Sequence, residues 1–302
     1  MELRQLRYFL KVAELLSFSE AAKNLFITQS TLSQQIKQLE TELDTMLFER
    51  NSHEVSLTEA GEKLVRYAEK VVVDADVCQQ KMTDLKGLLT GELNIGATYT
   101  FGPLLTETVL EFMKQHPNVR LNIVYKTMAE LMDMLQRREV DFVLAFKPTE
   151  KNDKVDSHVL FNNKLVAVMS DKNPLATRSS LTIEDLQNCQ MAMPAHGLQA
   201  RNSFEEMTDD GLNGIKTRLE INDVNILLKL VEKSKLVTLL AEATLHGEEG
   251  LVGIPLEMRN NDMEGCIHLL NQSYVKNSAR EFCKLLGQSR AIMKYSSLSK
   301  LL

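Results

Sequence analysis

The chain contains no tryptophan, six prolines and four cysteines in 302 residues, and aromatic residues amount to 6%. So little cysteine excludes a disulfide-built secreted module. Cys78, Cys189, Cys266 and Cys283 stand far apart with no C-x-x-C pair, so free, mostly buried thiols in a reducing compartment are expected. Long apolar runs are lacking as well. The stretch Leu236 to Ala241, with Thr238 inside it, falls far short of the roughly 20 residues that span a bilayer. The charged start MELRQLRYFLKVAELL offers no signal-peptide core. A cytoplasmic chain without a membrane partner is the expectation. Positive charge is not in excess either: 35 Lys and Arg face 41 Asp and Glu, a net charge of −6. That balance excludes a polybasic coat but says nothing of local patches. With 44% hydrophobic and 25% charged residues the chain is globular, and its length suits two or three domains.

Proline and glycine are also unevenly spread. Residues 1–89 hold no proline and two glycines, Gly61 and Gly87, while all six prolines follow Gly91. Apolar positions in the first part recur at helical spacing. Leu6, Phe9, Leu10, Ala13 and Leu16 predict one face of a first helix. Ser19 is expected to cap a second, short helix with Ala21, Ala22 and Leu25 inward. After Phe26-Ile27-Thr28 a third helix carries Leu32, Ile36 and Leu39 as its buried stripe. Two helices joined by a tight turn make a helix-turn-helix candidate.

The opposite face of the third helix bears Gln29, Ser30, Thr31, Ser33, Gln34 and Lys37, with no acid before Glu40. Glutamine can bond the N6/N7 edge of adenine, hydroxyls adapt to several bases, and lysine meets guanine or phosphate. The plain alternative is a solvated polar face. From Met46 to Leu57 the alternation of Val55 and Leu57 predicts a two-stranded wing, with Arg50 and His53 near its tip within reach of phosphate or minor groove. One feature opposes nucleic-acid binding. Residues 1–58 carry six Lys and Arg against eight acids, leaving −2, so affinity would depend on local placement of charge.

Thr58 is expected to cap a long helix. On it Leu64, Ala68, Val71, Ala75, Cys78, Met82, Leu85 and Leu89 alternate spacings of four and three. A heptad seam sustained this long argues for a coiled-coil dimer; the alternative is a helix packed on its own chain. Paired reading heads would meet two half-sites with approximate dyad symmetry on double-stranded DNA.

Beyond residue 90, short strands alternate with helices. Strands near 93–97, 119–124 and 141–146 with helices between them predict a parallel sheet, and a similar group starts at Leu165. A final helix is expected from Asn277 to about residue 293. Two α/β lobes would leave a cleft, and ligands in such sheets bind beyond the carboxyl ends of strands. Thr98, Tyr99 and Thr100 follow the first strand, and Thr127 and Met128 follow the second. His196, Gly197, Gln199 and Arg201 lie in a loop of the other lobe. Hydroxyls and helix N-termini there favour a small anion; simple capping is the competing reading. Enzyme chemistry finds little support. The chain has no G-x-x-x-x-G-K, G-x-G-x-x-G, G-x-S-x-G or H-E-x-x-H motif, and its six histidines lack metal-ligand spacing. No cofactor, metal or catalytic residue is expected.

The stretch LRQLRYFLKVAELLSFSEAAKNLFITQSTLSQQIKQLETEL, followed by LFERNSHEVSLTEAGE, resembles the LysR-type transcriptional regulators, and the resemblance extends over the whole chain. TYTFGPLLTETVLEFMKQHPNVRLNI and LLKLVEKSKLVTLLAEATL are most similar to the cyanate-operon regulators of that family. The resemblance implies an α plus α/β architecture: a winged helix-turn-helix at 1–58, a linker and dimerisation helix at 59–90, and a two-lobed effector domain, like a periplasmic binding protein, at 91–302. Lobe I would take about 91–162 and 268–302, and lobe II about 163–267. It places DNA reading on Gln29, Ser30, Thr31, Ser33 and Gln34, and effector binding on Thr98, Thr100, Thr127 or Met128 and the 197–201 loop. Ser30 stands where many members have proline, and Lys235-Leu236-Val237-Thr238 where many have a glycine-rich turn. A homodimer or homotetramer is implied, with RNA polymerase a further candidate partner. The competing reading is a small-molecule-binding protein or enzyme whose N-terminal unit serves assembly alone.

Overall fold

The computed structural model describes residues 1–50, 55–84, 89–148, 152–208, 214–258, 261–271 and 273–289, with backbone alone for 50, 80, 83 and 84. Its contacts divide into two compact units, Met1–Gly87 and Leu88–Leu302.

The first unit, the head, contains α1 (Leu3–Leu15), α2 (Phe18–Asn24), α3 (Gln29–Glu42), β1 (Phe48–Arg50), β2 (Val55–Leu57) and α4 (Glu59–Asp84). Strands β1 and β2 pair antiparallel with Phe48 opposite Leu57, which is the expected wing; residues 51–54 at its tip lie outside the described residues. Leu32, Ile36 and Leu39 of α3 are buried against Leu6, Phe9, Ala21 and Phe48, and the Phe9 and Phe18 rings lie 5.4 and 5.5 Å from that of Phe48. Two local expectations change. The buried stripe of α1 is Gln5, Leu6, Phe9 and Val12. Leu16, past the helix end, takes a left-handed C-cap conformation and is half exposed. Helix α2 starts two residues earlier than expected because Phe18 is needed in the core. Ser17, not Ser19, is its cap and accepts from the Glu20 amide at 3.3 Å. Thr58 does cap α4: its hydroxyl accepts from the Gly61 amide at 3.0 Å and donates to the Met46 carbonyl at 2.8 Å. Position 61 must be glycine, since a Cβ there would stand 2.2 Å from the Leu47 carbonyl oxygen.

The second unit begins with β3 (Gly91–Ala97), α5 (Gly102–Gln115), β4 (Val119–Tyr125), α6 (Met128–Gln136), β5 (Phe142–Phe146) and β6 (Val155–Asn163). It continues with β7 (Leu165–Ser170), α7 (Ile183–Gln187), β8 (Met191–Pro194), α8 (Gln199–Met207), β9 (Thr217–Ile221) and α9 (Val224–Glu232). β10 (Thr238–Ala241), β11 (Leu251–Pro255), β12 (Met263–Leu270) and α10 (Asn277–Gly287) complete it.

The first lobe is a five-stranded sheet in the order β4-β3-β5-β12-β6. The β-α-β-α-β series is parallel, as expected, while β12 joins antiparallel to both β5 and β6. Strand β6 escaped the sequence reading: it is an edge strand with polar residues at Asp156, Ser157 and His158 and no clean alternation. The second lobe departs further. Strand β7 lies antiparallel between β10 and β11, while the separate pair of β8 with β9 is parallel. Strand β6 runs into β7 through Lys164 alone, so the chain passes there from the first lobe's sheet to the second's.

Two amide side chains fasten the lobes. Asn261 brackets Leu165 where the chain crosses, accepting from its amide and donating to its carbonyl, both at 2.8 Å. Gln199 of the second lobe does the same to Phe146 at the end of β5, at 3.3 and 3.2 Å. Phe282 of α10 packs on Phe112 and Phe142 with ring centres 5.3 and 5.7 Å apart. The expected extension of that helix to about residue 293 runs into 290–302, outside the described residues.

Candidate functional site

In the head, burial of Leu32, Ile36 and Leu39 turns the other face of α3 to solvent. Gln29, Ser30, Thr31, Gln34 and Lys37 are exposed and Ser33 is half buried. A hydroxyl cluster orders the start of this helix. Thr28, its N-cap, lies 2.9 Å from the Ser30 hydroxyl and 2.8 Å from that of Thr31, and accepts from the Thr31 amide at 3.2 Å. Ser19 of α2 donates to Gln29 Oε1 at 3.2 Å, which leaves the Gln29 NH2 group to offer outward. The charge balance now has a location. Arg4, Arg7, Lys11 and Lys23 are paired with Glu2, Asp76, Glu14 and Glu20. Among the described side chains of residues 1–58, Lys37 is the cation without a carboxylate partner, and it sits on the solvent face of α3. The Arg50 side chain and His53 lie outside the described residues.

The long helix keeps part of its expected seam. Val71 and Met82 are 46% and 53% exposed, Cys78 is exposed and Ala75 half buried. Three positions are corrected. Leu64 and Ala68 pack into the head's own core, because α4 lies on α1 there. Leu89 packs on the core of the second unit. Leu85 is outside the described residues. Tyr67, 70% exposed, stands one turn before Val71 and extends the apolar stripe at the other end.

The effector positions come together at the strand ends but are mostly occupied by the protein itself. The Thr127 hydroxyl and amide both donate to Glu130, at 2.6 and 3.0 Å, and these bonds hold the Glu130 carboxyl down to about 2. The helix N-terminus expected to take an anion is thus filled by the chain's own carboxylate; Met128 beside it is half buried. Arg201 is corrected too. Its buried guanidinium is paired with Glu205 and Glu220 and faces the Pro194 carbonyl, so it has no free charge for a ligand. His196, exposed, places Nε2 3.2 Å from Arg201. Gln199 is the strap to Phe146 already described. Gly197, at φ 85°, faces Thr127 of the other lobe, where a Cβ would come within 3.3 Å of the threonine methyl.

Thr98, Tyr99 and Thr100 lie just past the end of β3. Thr98 Oγ1 and Tyr99 Oη are buried with no hydrogen-bond partner. Burial pushes the Tyr99 phenol up to about 12, with partial relief from the Ala200 amide and the Thr100 hydroxyl, neither of which completes a bond. Thr100 meets Thr244 of the second lobe at 3.5 Å. Beside this contact a cavity of about 750 Å³ opens between the lobes. Tyr99, Thr106 and Tyr125 line it from one side, and Asn222, Asp223, Asn225, Thr244, His246 and Glu248 from the other. Of the nine expected effector residues only Tyr99 borders it, and no lysine or arginine does.

Two family profiles cover nearly the whole chain: "Bacterial regulatory helix-turn-helix protein, lysR family" matches residues 3–62 and "LysR substrate binding domain" matches residues 86–290. The chain belongs to the LysR family of transcriptional regulators. Among relatives, the regulator EstR of Acinetobacter baylyi is 30% identical over 246 residues, covering 81% of each chain. The transcriptional activator CmpR of Synechocystis sp. is 29% identical over 264 residues, 87% of this chain and 85% of the relative. A full-length OxyR variant from Pseudomonas aeruginosa shares the fold at TM-score 0.68 and 24% identity, covering 98% of this chain and 96% of that one. Full-length CbnR, solved with its target DNA, does so at 0.63 and 17%, covering 95% and 99%. As a LysR-family member the chain is a DNA-binding transcriptional regulator with a substrate-binding domain, and the reading in which its head serves assembly alone is not favoured.

What the sequence reading missed in this regulator has two kinds of cause. Gln38, exposed on α3, was visible as the residue one turn past Gln34. The cavity residues had no local signal, since they come from four separate places, 99–106, Tyr125, 222–228 and 244–248, that only the fold collects.

Proposed function

We propose that this LysR-family regulator reads duplex DNA with the exposed face of α3, pairs two heads through the Val71-Ala75-Cys78-Met82 stripe, and senses a small polar effector between its lobes without doing catalytic chemistry. The reading face supports the first part: Gln29, Gln34 and Lys37 stand free of the acids that pair with Arg4, Arg7, Lys11 and Lys23. The exposed stripe on α4 supports pairing. A second apolar set in the effector domain, Leu110 and Met113 on α5 with Ile226 and Leu230 on α9, suits a further contact between copies and so a tetramer.

The single observation that carries the effector reading is the inter-lobe cavity bordered by Tyr99, whose buried hydroxyl has no hydrogen-bond partner. Leaving a buried hydroxyl unmatched costs roughly 1–3 kcal/mol, and a ligand that bonds it recovers that cost. The lining changes the expected ligand charge. With Asp223 and Glu248 present, His246 but no lysine or arginine in the lining, and Arg201 neutralised, the fitting effector is uncharged or cationic, not anionic.

Two measurements test this. Anisotropy titration with duplexes from upstream of the gene should show sequence-dependent binding that weakens steeply with salt; affinity that is the same for every sequence would sink the reading. Thermal shift with matched carboxylate, amide and amine compounds of one carbon skeleton should favour the amide or amine. Stabilisation by the carboxylate alone would restore the anion.

A further inference from the structure

Phe26 lies in the turn between α2 and α3 with 95% of its surface exposed, the most of any large apolar residue among those described. Its backbone is left-handed, φ 54°. The hydrogen bonds explain why: the Ile27 amide reaches the Ala22 carbonyl at 3.0 Å and the Phe26 amide the Lys23 carbonyl at 3.1 Å, closing α2 with the six-to-one bond of a Schellman motif. The residue at this C′ position is normally glycine or asparagine, which adopt a left-handed backbone with little strain. A bulky aromatic residue there is strained, and here no burial offsets the strain. Three other described non-glycine residues have positive φ. Asp44 and Arg138 are polar, and Leu16 is 48% exposed, about half as much as Phe26. The fold of the free chain therefore gives position 26 no reason to be phenylalanine.

The surroundings supply one. Phe26 stands two residues before the Thr28 cap and three before Gln29, at the end of α3 that leads into the reading face. We infer that Phe26 is a DNA-contact residue: its ring lies against the apolar part of the duplex beside the groove that α3 enters, the sugar faces or a thymine methyl. This rests on α3 being the reading helix. Burial of the ring on DNA offsets the backbone strain in the complex, and the contact adds affinity without adding charge.

The test compares the full-length parent with Phe26→Gly, Phe26→Leu and Leu16→Gly on one operator duplex at several salt concentrations, with melting temperature and light-scattering mass for each. Phe26→Gly should melt at or above the parent temperature and keep its mass. It should bind the operator about tenfold more weakly, with an unchanged salt slope, since no ion is lost. Phe26→Leu should recover part of the affinity, and Leu16→Gly should bind as the parent does. Operator affinity within twofold of the parent for Phe26→Gly overturns the contact. So does a lower melting temperature or an altered mass, which would assign the ring to folding or to assembly between copies. If the parent itself shows no salt-sensitive binding to any duplex, the DNA-reading assignment of α3 fails, and this inference with it.

Discussion

In the head, the polar side chains singled out by pattern lie on solvent and keep free hydrogen-bonding groups: the Gln29 NH2, Gln34 and the unpaired Lys37. In the effector domain, side chains of similar chemistry are already engaged: buried Arg201 by two carboxylates, buried Gln199 by Phe146, and half-buried Thr127 by Glu130. The difference follows from what each unit binds in the proposed function. A duplex is larger than the head and meets its outer surface, so reading residues must project. A small molecule is enclosed between lobes, where the same polar groups are desolvated and the fold must satisfy them when the site is empty. An exposed polar pattern can thus be carried from sequence to role more directly than a buried one.

Three measurements break or sharpen this contrast. The largest effect is expected inside the effector domain. Burial lowers the His268 imidazole from 6.5 to about 4, against the raising influence of the Ala145 and Phe146 backbone. The unfolded chain therefore takes up a proton below pH 6.5 that the folded chain refuses until about pH 4. Stability is full above 6.5 and is lost as pH falls between these values, by up to about 3 kcal/mol. The melting temperature of the domain should drop from pH 7 to pH 5, and His268→Gln should remove most of that drop. An equal drop in the variant would place the acid sensitivity elsewhere.

The next effect concerns pairing of heads. Val71→Asp combined with Met82→Asp places charge on the exposed stripe of α4. It should abolish the α4 pairing and weaken operator binding by about 100-fold, since the second head no longer benefits from the first. Unchanged mass and affinity would show that α4 does not pair the heads. The smallest effect belongs to a single reading residue. Gln29→Ala should cost roughly 1–3 kcal/mol on the operator and little on random duplex. A uniform loss across sequences would make Gln29 a positioning contact.

Legibility followed periodicity. The stripe Leu32, Ile36 and Leu39, the wing and the Thr58 cap were readable because each obeys a local rule of spacing or capping. The α2 cap was misplaced by two residues because the core's need for Phe18 outweighed a good local capping signal at Ser19. In the effector domain β3, β4 and β5 were legible as apolar runs, whereas β6 was not, since an edge strand needs no apolar face. The heptad spacing on α4 is real, but it is broader than the surface left open for a partner. Leu64, Ala68 and Leu89 satisfy its spacing, yet neighbouring elements of the same chain cover them.

By itself the sequence determined the division of the chain, the helical head, the polar composition of the reading face and the family. Each depends on residues close together in the chain, where helix and strand periods act directly. Tertiary structure alone decided which cations are free, that Arg201 is neutralised, that β7 runs antiparallel to its neighbours, and that the inter-lobe cavity is lined by acids and tyrosines. Those outcomes depend on side chains far apart in sequence, whose mutual distance sets charge pairing and burial, and no local pattern encodes that distance.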